Sequence, residues 1–260
     1  MTIPIGVESY NVDSKPVLAR GIQYNLKEYD VIINRVIPII DDAEGKDILS
    51  STLAPLALTG FSQANLSRLL TEKTDHEDWK IGEAIAEAYL IDHHNCVYPW
   101  PGGRDLKNPK SSPAGCDLVG FHYMNNSVRF SFGEVKTSFE EKYPPNVMTS
   151  RHGLSEQLSD LKSSPVVKDA LVKYLGFHAV NASWRSDYET AAGRYLSDDG
   201  DVSLYGFLIR DVISDEKDLR ARAKALAKDC SKNTSIELRA LYMPSGKIKC
   251  FSSDVAKVAR

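Results

Sequence analysis

The chain has 260 residues, of which 42% are hydrophobic and 26% charged, with a formal net charge of −3. These values exclude collagen-like, low-complexity and fully disordered classes, and a chain this long can bury a sizeable core unaided. No apolar run reaches the ~18 residues of a membrane helix, and Met1–Tyr10 lacks the basic and apolar regions of a signal peptide. A cytoplasmic protein without a membrane contact is expected.

In chain order, the first stretch mixes apolar segments with acidic turns such as Asp41-Asp42-Ala43-Glu44-Gly45. Leu53–Leu70 reads as helical with a break near Gly60. Thr74 and Glu77 have capping-box spacing. Ile81, Ala84, Ile85, Ala88 and Tyr89 then form one apolar stripe at helical spacing. Glu83 and Glu87 lie off that stripe, four residues apart. The period then changes. Asn95–Trp100 is a short strand candidate stopped by Pro-Gly-Gly, Cys116–Tyr123 is a second, and Met124-Asn125-Asn126 is a turn. Ser127–Thr137 is the clearest strand, because Val128, Phe130 and Phe132 alternate with Arg129, Ser131 and Gly133. Helices are predicted over Leu154–Leu161, Val166–Leu175 and Glu216–Cys230, and strands over Val202–Asp211 and Ile236–Met243. The order predicts an α/β (α+β) fold. Residues 1–75 carry no chemistry of their own and are expected to be a mostly helical extension that docks a partner or regulates access. Residues 76–260 would form the functional domain.

The charge is uneven: residues 215–260 carry 11 basic and 6 acidic side chains. That run either follows a phosphate backbone or is the solvated face of a helix. The four cysteines (Cys96, Cys116, Cys230, Cys250) show no CxxC spacing, which points to buried or free thiols rather than a zinc site.

The chemistry concentrates at Gly133-Glu134-Val135-Lys136-Thr137. Residues two apart on a strand share a face, so Glu134 and Lys136 project together and extend the apolar face of Phe130 and Phe132. Such a charged pair emerges into water or lines a pocket, since lone buried charges cost several kcal/mol. Asp117 opens the preceding strand, and a hairpin brings it toward Glu134. Two adjacent carboxylates favour a cation between them. Mg²⁺ suits the position, because it takes oxygen ligands and often only one or two carboxylates. Lys136 would orient a water or neutralise a developing oxyanion, and Glu83 would add a third carboxylate. Such a set hydrolyses phosphodiesters.

Glu83 on a helix, Asp117 on a strand and Glu134-Val135-Lys136 on the next resemble the PD-(D/E)xK nuclease superfamily over about residues 77–162. The resemblance implies a restriction-endonuclease-like core, with a central mixed sheet flanked by helices. It implies metal binding by Asp117, Glu134 and Glu83, a catalytic Lys136, and a further polar contribution from Gln157. Mn²⁺ would substitute for Mg²⁺. Cys116 stands where the superfamily has Pro before the Asp. The bare [DE]xK pattern occurs eight times in the chain, and only the Glu134 copy ends an alternating strand behind an Asp-led one. The Gly82-Glu83 helix, the Gly115-Cys116-Asp117-Leu118-Val119-Gly120 strand and the Gly133-Glu134-Val135-Lys136 strand also resemble the nuclease-subunit family of Hachiman anti-phage systems. That likeness implies DNA degradation during infection, alongside a separate helicase (ATPase) subunit. The alternative is a nuclease-like fold acting as a non-catalytic assembly or binding subunit.

Other candidates are weaker. Asp92-His93-His94-Asn95 reads as a polar helix terminus rather than a phosphoesterase motif. Arg151 and His152 contact phosphate or sit idle at the surface. Trp100 either stacks on a base or packs beside Pro101. No Walker A, GxSxG or HExxH pattern is present.

Overall fold

The computed structural model describes residues 1–71, 76–105, 115–125 and 127–258. Strands β1 (Val7–Asn11) and β2 (Val17–Gln23) come first, followed by helices α1 (Leu26–Ile40), α2 (Ala43–Leu53) and α3 (Gly60–Leu70). Helix α4 (Asp78–His94) leads to β3 (Cys96–Val97), β4 (Leu118–Met124) and β5 (Ser127–Ser138). Then come α5 (Asn146–Thr149), α6 (Leu154–Ser163), α7 (Pro165–Ala179) and α8 (Arg185–Ser197). The chain closes with β6 (Val202–Arg210), α9 (Arg220–Ala227), β7 (Ser235–Tyr242) and α10 (Phe251–Val258).

The strands make one seven-stranded mixed sheet in the order β1-β2-β7-β6-β5-β4-β3. Its centre, from β2 through β7 and β6 to β5, is parallel, and both margins are antiparallel. The parallel centre is covered on both faces, as such sheets require. On β6, Leu204 and Leu208 enter the core beneath α6–α9, whereas Tyr205, Phe207 and Ile209 enter the core beneath α1, α4 and α10. The expected α/β architecture is therefore a three-layer sandwich. Among the described residues no helix is long and apolar enough to cross a membrane.

The N-terminal stretch carries two strands as well as the helices expected there. β2 pairs along its length with β7, from Val17↔Ile236 to Gln23↔Tyr242. Helix α1 opens with a reciprocal cap, in which Glu28 N–H donates to Asn25 Oδ1 at 3.1 Å and Asn25 N–H to Glu28 Oε2 at 2.8 Å. It buries Tyr29, Ile32, Ile33 and Val36. Helices α2 and α3 differ: neither buries a side chain, and Ile48, Leu56, Leu58, Phe61 and Leu69 stand exposed. Residues 48–67 hold no charged side chain. The pair is tethered at its base, where Arg104 donates through Nε and Nη2 to the α2 N-cap residue Asp42, both at 2.7 Å.

Several boundaries shift. The Asn95–Trp100 strand shrinks to Cys96–Val97, because Pro99 has no N–H to give a ladder. Helix α4 starts at Asp78 behind Glu77, whose side chain makes no capping bond, and Thr74 of the expected capping box lies outside the described residues. The predicted Glu216–Cys230 helix is a short 3₁₀ turn followed by α9, whose Ala223 and Leu226 are buried while Arg220 and Lys224 face solvent. The basic run is, over this helix, a solvated face.

Candidate active site

The site forms where the β4–β5 hairpin comes apart. Their register ends at Leu118↔Gly133, while β5 continues to Ser138 paired only with β6. Past that fork, β5 has backbone donors facing no strand. Asp117, one residue before β4 rather than on it, supplies the missing acceptor: Val135 N–H donates to its Oδ2 at 2.7 Å. The Cys116 thiol similarly donates to Gly133 O at 3.0 Å. The Asp117 carboxylate is thereby fixed beside Glu134 by the backbone itself, because an unpaired buried N–H is costly.

Two glycines let helices reach the fork from opposite faces of the sheet. A Cβ at Gly82 of α4 would lie 2.0 Å from Thr137 Oγ1 on β5. Only a glycine there allows α4 to pack so closely and carry the next residue, Glu83, to the strand tip. On the other face, a Cβ at Gly206 of β6 would lie 2.5 Å from Leu158 of α6. Gly206 pairs with Glu134, so the helix that settles there brings Gln157 alongside Glu134.

The resulting cluster is dense in acids. Glu83 and Glu134 each face Asp117, their shared neighbour. Burial, and then the Asp117 charge, pushes Glu83 and Glu134 up to about 9, against the opposing pull of Lys136. Asp117 is raised too, chiefly by burial, with Lys136 and the Val135 N–H opposing. Glu134 is 2% exposed, and its Oε2 has no hydrogen-bond partner. Lys136 Nζ stands 3.6 Å from that oxygen, an ion-pair contact beyond hydrogen-bond length. Gln157 Oε1 is likewise buried and unpartnered.

These orphaned oxygens fit a hard cation. Among the described residues no three His, Cys, Asp or Glu side chains are disposed to hold a metal ion as they stand. Mg²⁺ needs fewer, completing its octahedron with water. Asp117 and Glu134 supply an adjacent carboxylate pair, and the unsatisfied Oε2 of Glu134 is an acceptor that a cation would satisfy.

All five residues singled out in the sequence gather at or beside the fork. Glu83 comes from α4, Asp117 from the approach to β4, Glu134 and Lys136 from β5, and Gln157 from α6. Gly82, Gly206 and Thr137, which set the depth of the two helices, carry no chemical signature, and only their contacts reveal that spacing role. Glu87, one turn beyond Glu83, belongs elsewhere: burial raises it to about 7, with Arg35 opposing.

His93, His94 and Trp100 resolve as packing, whereas Arg151 and His152 stand exposed before α6. His93 Nε2 lies 2.9 Å from Ile3 O, and His94 packs on Tyr89 and Tyr205. Trp100 stacks on His178 with centroids 4.2 Å apart and donates to Asp105. His152 N–H donates to Glu156 Oε2 at the start of α6. The chain matches no protein-family model and no curated protein.

Proposed function

We propose that the protein is a Mg²⁺-dependent nuclease that hydrolyses DNA phosphodiester bonds at the fork between β4 and β5. One observation carries this reading. An adjacent carboxylate pair, half-buried Asp117 and buried Glu134, stands at a strand end with Asp117 anchored by Val135 N–H, one Glu134 oxygen unsatisfied and Lys136 Nζ 3.6 Å from it. The order helix acid, Asp, Glu-x-Lys, helix Gln, on a mixed sheet between helices, supports assignment to a PD-(D/E)xK-type core. A nuclease role within an anti-phage complex follows from the same likeness.

Asp117 and Glu134 would hold the cation, with Glu83 behind Asp117 as the accessory acid. When bound, Mg²⁺ lowers the pKa of a coordinated water and stabilises charge on the phosphoryl oxygens. Asp117 keeps its orientation through Val135 N–H, so ligand geometry survives the loss of its protons. Lys136 shares the Glu134 face. There it orients the attacking water or offsets the negative charge that builds on phosphate as the P–O bond to the leaving oxygen breaks. Burial within the cluster excludes bulk water and strengthens that interaction.

The −3 charge gives limited phosphate affinity to the chain alone. The α2–α3 pair, free of charged side chains from residue 48 to 67 and without a buried side chain, is the natural docking element for a separate helicase or ATPase subunit, which would deliver the DNA.

The test is cleavage of supercoiled, linear and single-stranded DNA with Mg²⁺, Mn²⁺ or EDTA, alongside Glu134→Ala and Lys136→Ala. Metal-dependent cutting lost in both variants is expected. Silence of the wild-type chain, persisting with its cellular partner and ATP present, would instead mean a non-catalytic assembly subunit.

A further inference from the structure

Beside the fork, α6 and α7 enclose a cleft of about 410 Å³ that no step of phosphodiester hydrolysis uses. Its walls are apolar, from Leu161, Val167, Ala170 and Leu171, and its inner end is shared with Glu134 and Gln157. The volume is that of a small-ligand pocket, for which the usual range is about 300–1,000 Å³. Resting on the nuclease reading, the geometry points to a base-binding pocket: the α6–α7 cleft takes one unstacked nucleobase of the strand whose phosphate sits at Asp117 and Glu134, which makes the substrate single-stranded or locally melted DNA.

Three observations support this. The cleft is continuous with the carboxylate cluster, so a nucleotide positioned there by its phosphate lies at the cleft's mouth. Aliphatic walls suit the flat face of a base, and bases extruded for chemistry are held between apolar side chains. The cleft offers two acceptor groups, the Asp160 carboxylate and, at the inner end, Gln157 Oε1, which is buried and has no partner. A base paired inside a duplex offers neither its face nor its edge to such a cleft.

The acceptors also set a preference. Carboxylate and amide oxygens receive the exocyclic amino groups of cytosine and adenine. Thymine offers only its ring N–H there and leaves one acceptor unpaired. Binding of oligo-dC and oligo-dA should therefore exceed that of oligo-dT by about tenfold, the low end of a base-edge contact.

The direct test places 2-aminopurine at successive positions in a single strand, with Ca²⁺ in place of Mg²⁺, and reads fluorescence together with anisotropy. In the wild-type protein one register should brighten several-fold as its base leaves the stack. Ala170→Trp and Val167→Trp fill the cleft from exposed wall positions, so both should fold. They should abolish the brightening while the anisotropy change persists. DNA binding without brightening, or brightening that survives both substitutions, overturns the pocket and leaves the nuclease reading standing. No DNA binding by the wild-type protein, even with its cellular partner present, overturns both.

Discussion

The close approach of α4 to β5 makes a quantitative double-mutant test. In Gly82→Ala, the new Cβ falls 2.0 Å from Thr137 Oγ1, while Thr137 Cβ at 3.4 Å and Ile209 at 3.6 Å are ordinary neighbours. The clash is therefore with one atom, roughly 1.5 Å short of a normal contact. Thr137 is stiff at χ1, so relief requires α4 to move outward, at about 1–3 kcal/mol for overpacking. Alanine returns up to about 1 kcal/mol in helix propensity, so Gly82→Ala alone should cost up to about 2 kcal/mol. Thr137→Ala removes a buried hydroxyl that has no partner and should stay within about 1 kcal/mol of wild type. In the double variant the clash is gone and the propensity gain remains. It should match or exceed wild type, with a coupling of about 1–3 kcal/mol. Urea unfolding reads the coupling, and melting temperatures should follow at ~2–4 °C per kcal/mol. Because Glu83 rides on the same helix turn, cleavage should fall in Gly82→Ala and recover in the double variant. A double variant no more stable than Gly82→Ala would refute the argument that this contact sets the depth of Glu83.

Three further outcomes follow from the site. Asp117→Asn keeps an acceptor for Val135 N–H and should fold normally without binding metal, whereas Asp117→Ala orphans that donor and should lose a further ~1–3 kcal/mol in chemical denaturation. Glu83 and Glu134 hold protons in the folded state up to about pH 9, but lose them near 4.5, their ordinary value, when unfolded. The metal-free protein should therefore lose stability as pH rises through that window; Mg²⁺ should offset the loss with proton release, and Glu134→Gln should flatten the profile. A melting temperature that rises from pH 5 to 9 without metal would contradict the protonated cluster. Arg104→Ala releases the bidentate tie to Asp42 and should make residues 43–71 the first site of limited proteolysis, leaving the sheet's hydrogen-exchange protection unchanged.

The parts of the fold that follow from local pattern were readable in the sequence. Phe130 and Phe132 alternate with the period of a strand, and Ile81, Ala84, Ile85 and Ala88 repeat as a packed helix must. β2 was not readable, because Arg20 and Gly21 sit in its middle and its order comes from β7, more than 200 residues away. Helix α8 was missed as well: it holds Ser186, Asp187 and Gly193, and only Ala191 and Tyr195, buried against the sheet, pin it down. At the site the chemistry was legible and the geometry was not. Asp117 and Glu134-x-Lys136 announce carboxylates and an ammonium. Nothing in their spacing says that β4 begins only at Leu118 or that Asp117 takes up a backbone N–H left over by the fork. Gln157 was reached only through a resemblance, since its contact with Glu134 depends on α6 settling over Gly206.

The exposed helix pair has a consequence for affinity. Helices of 11 residues are marginal on their own in water, and α2 and α3 lack the buried face that sustains most helices in proteins. Their order rests on end-capping, on each other and on the Arg104–Asp42 tie. A partner would meet a surface already shaped yet soft, and the motion it quenches is subtracted from the strength of the complex.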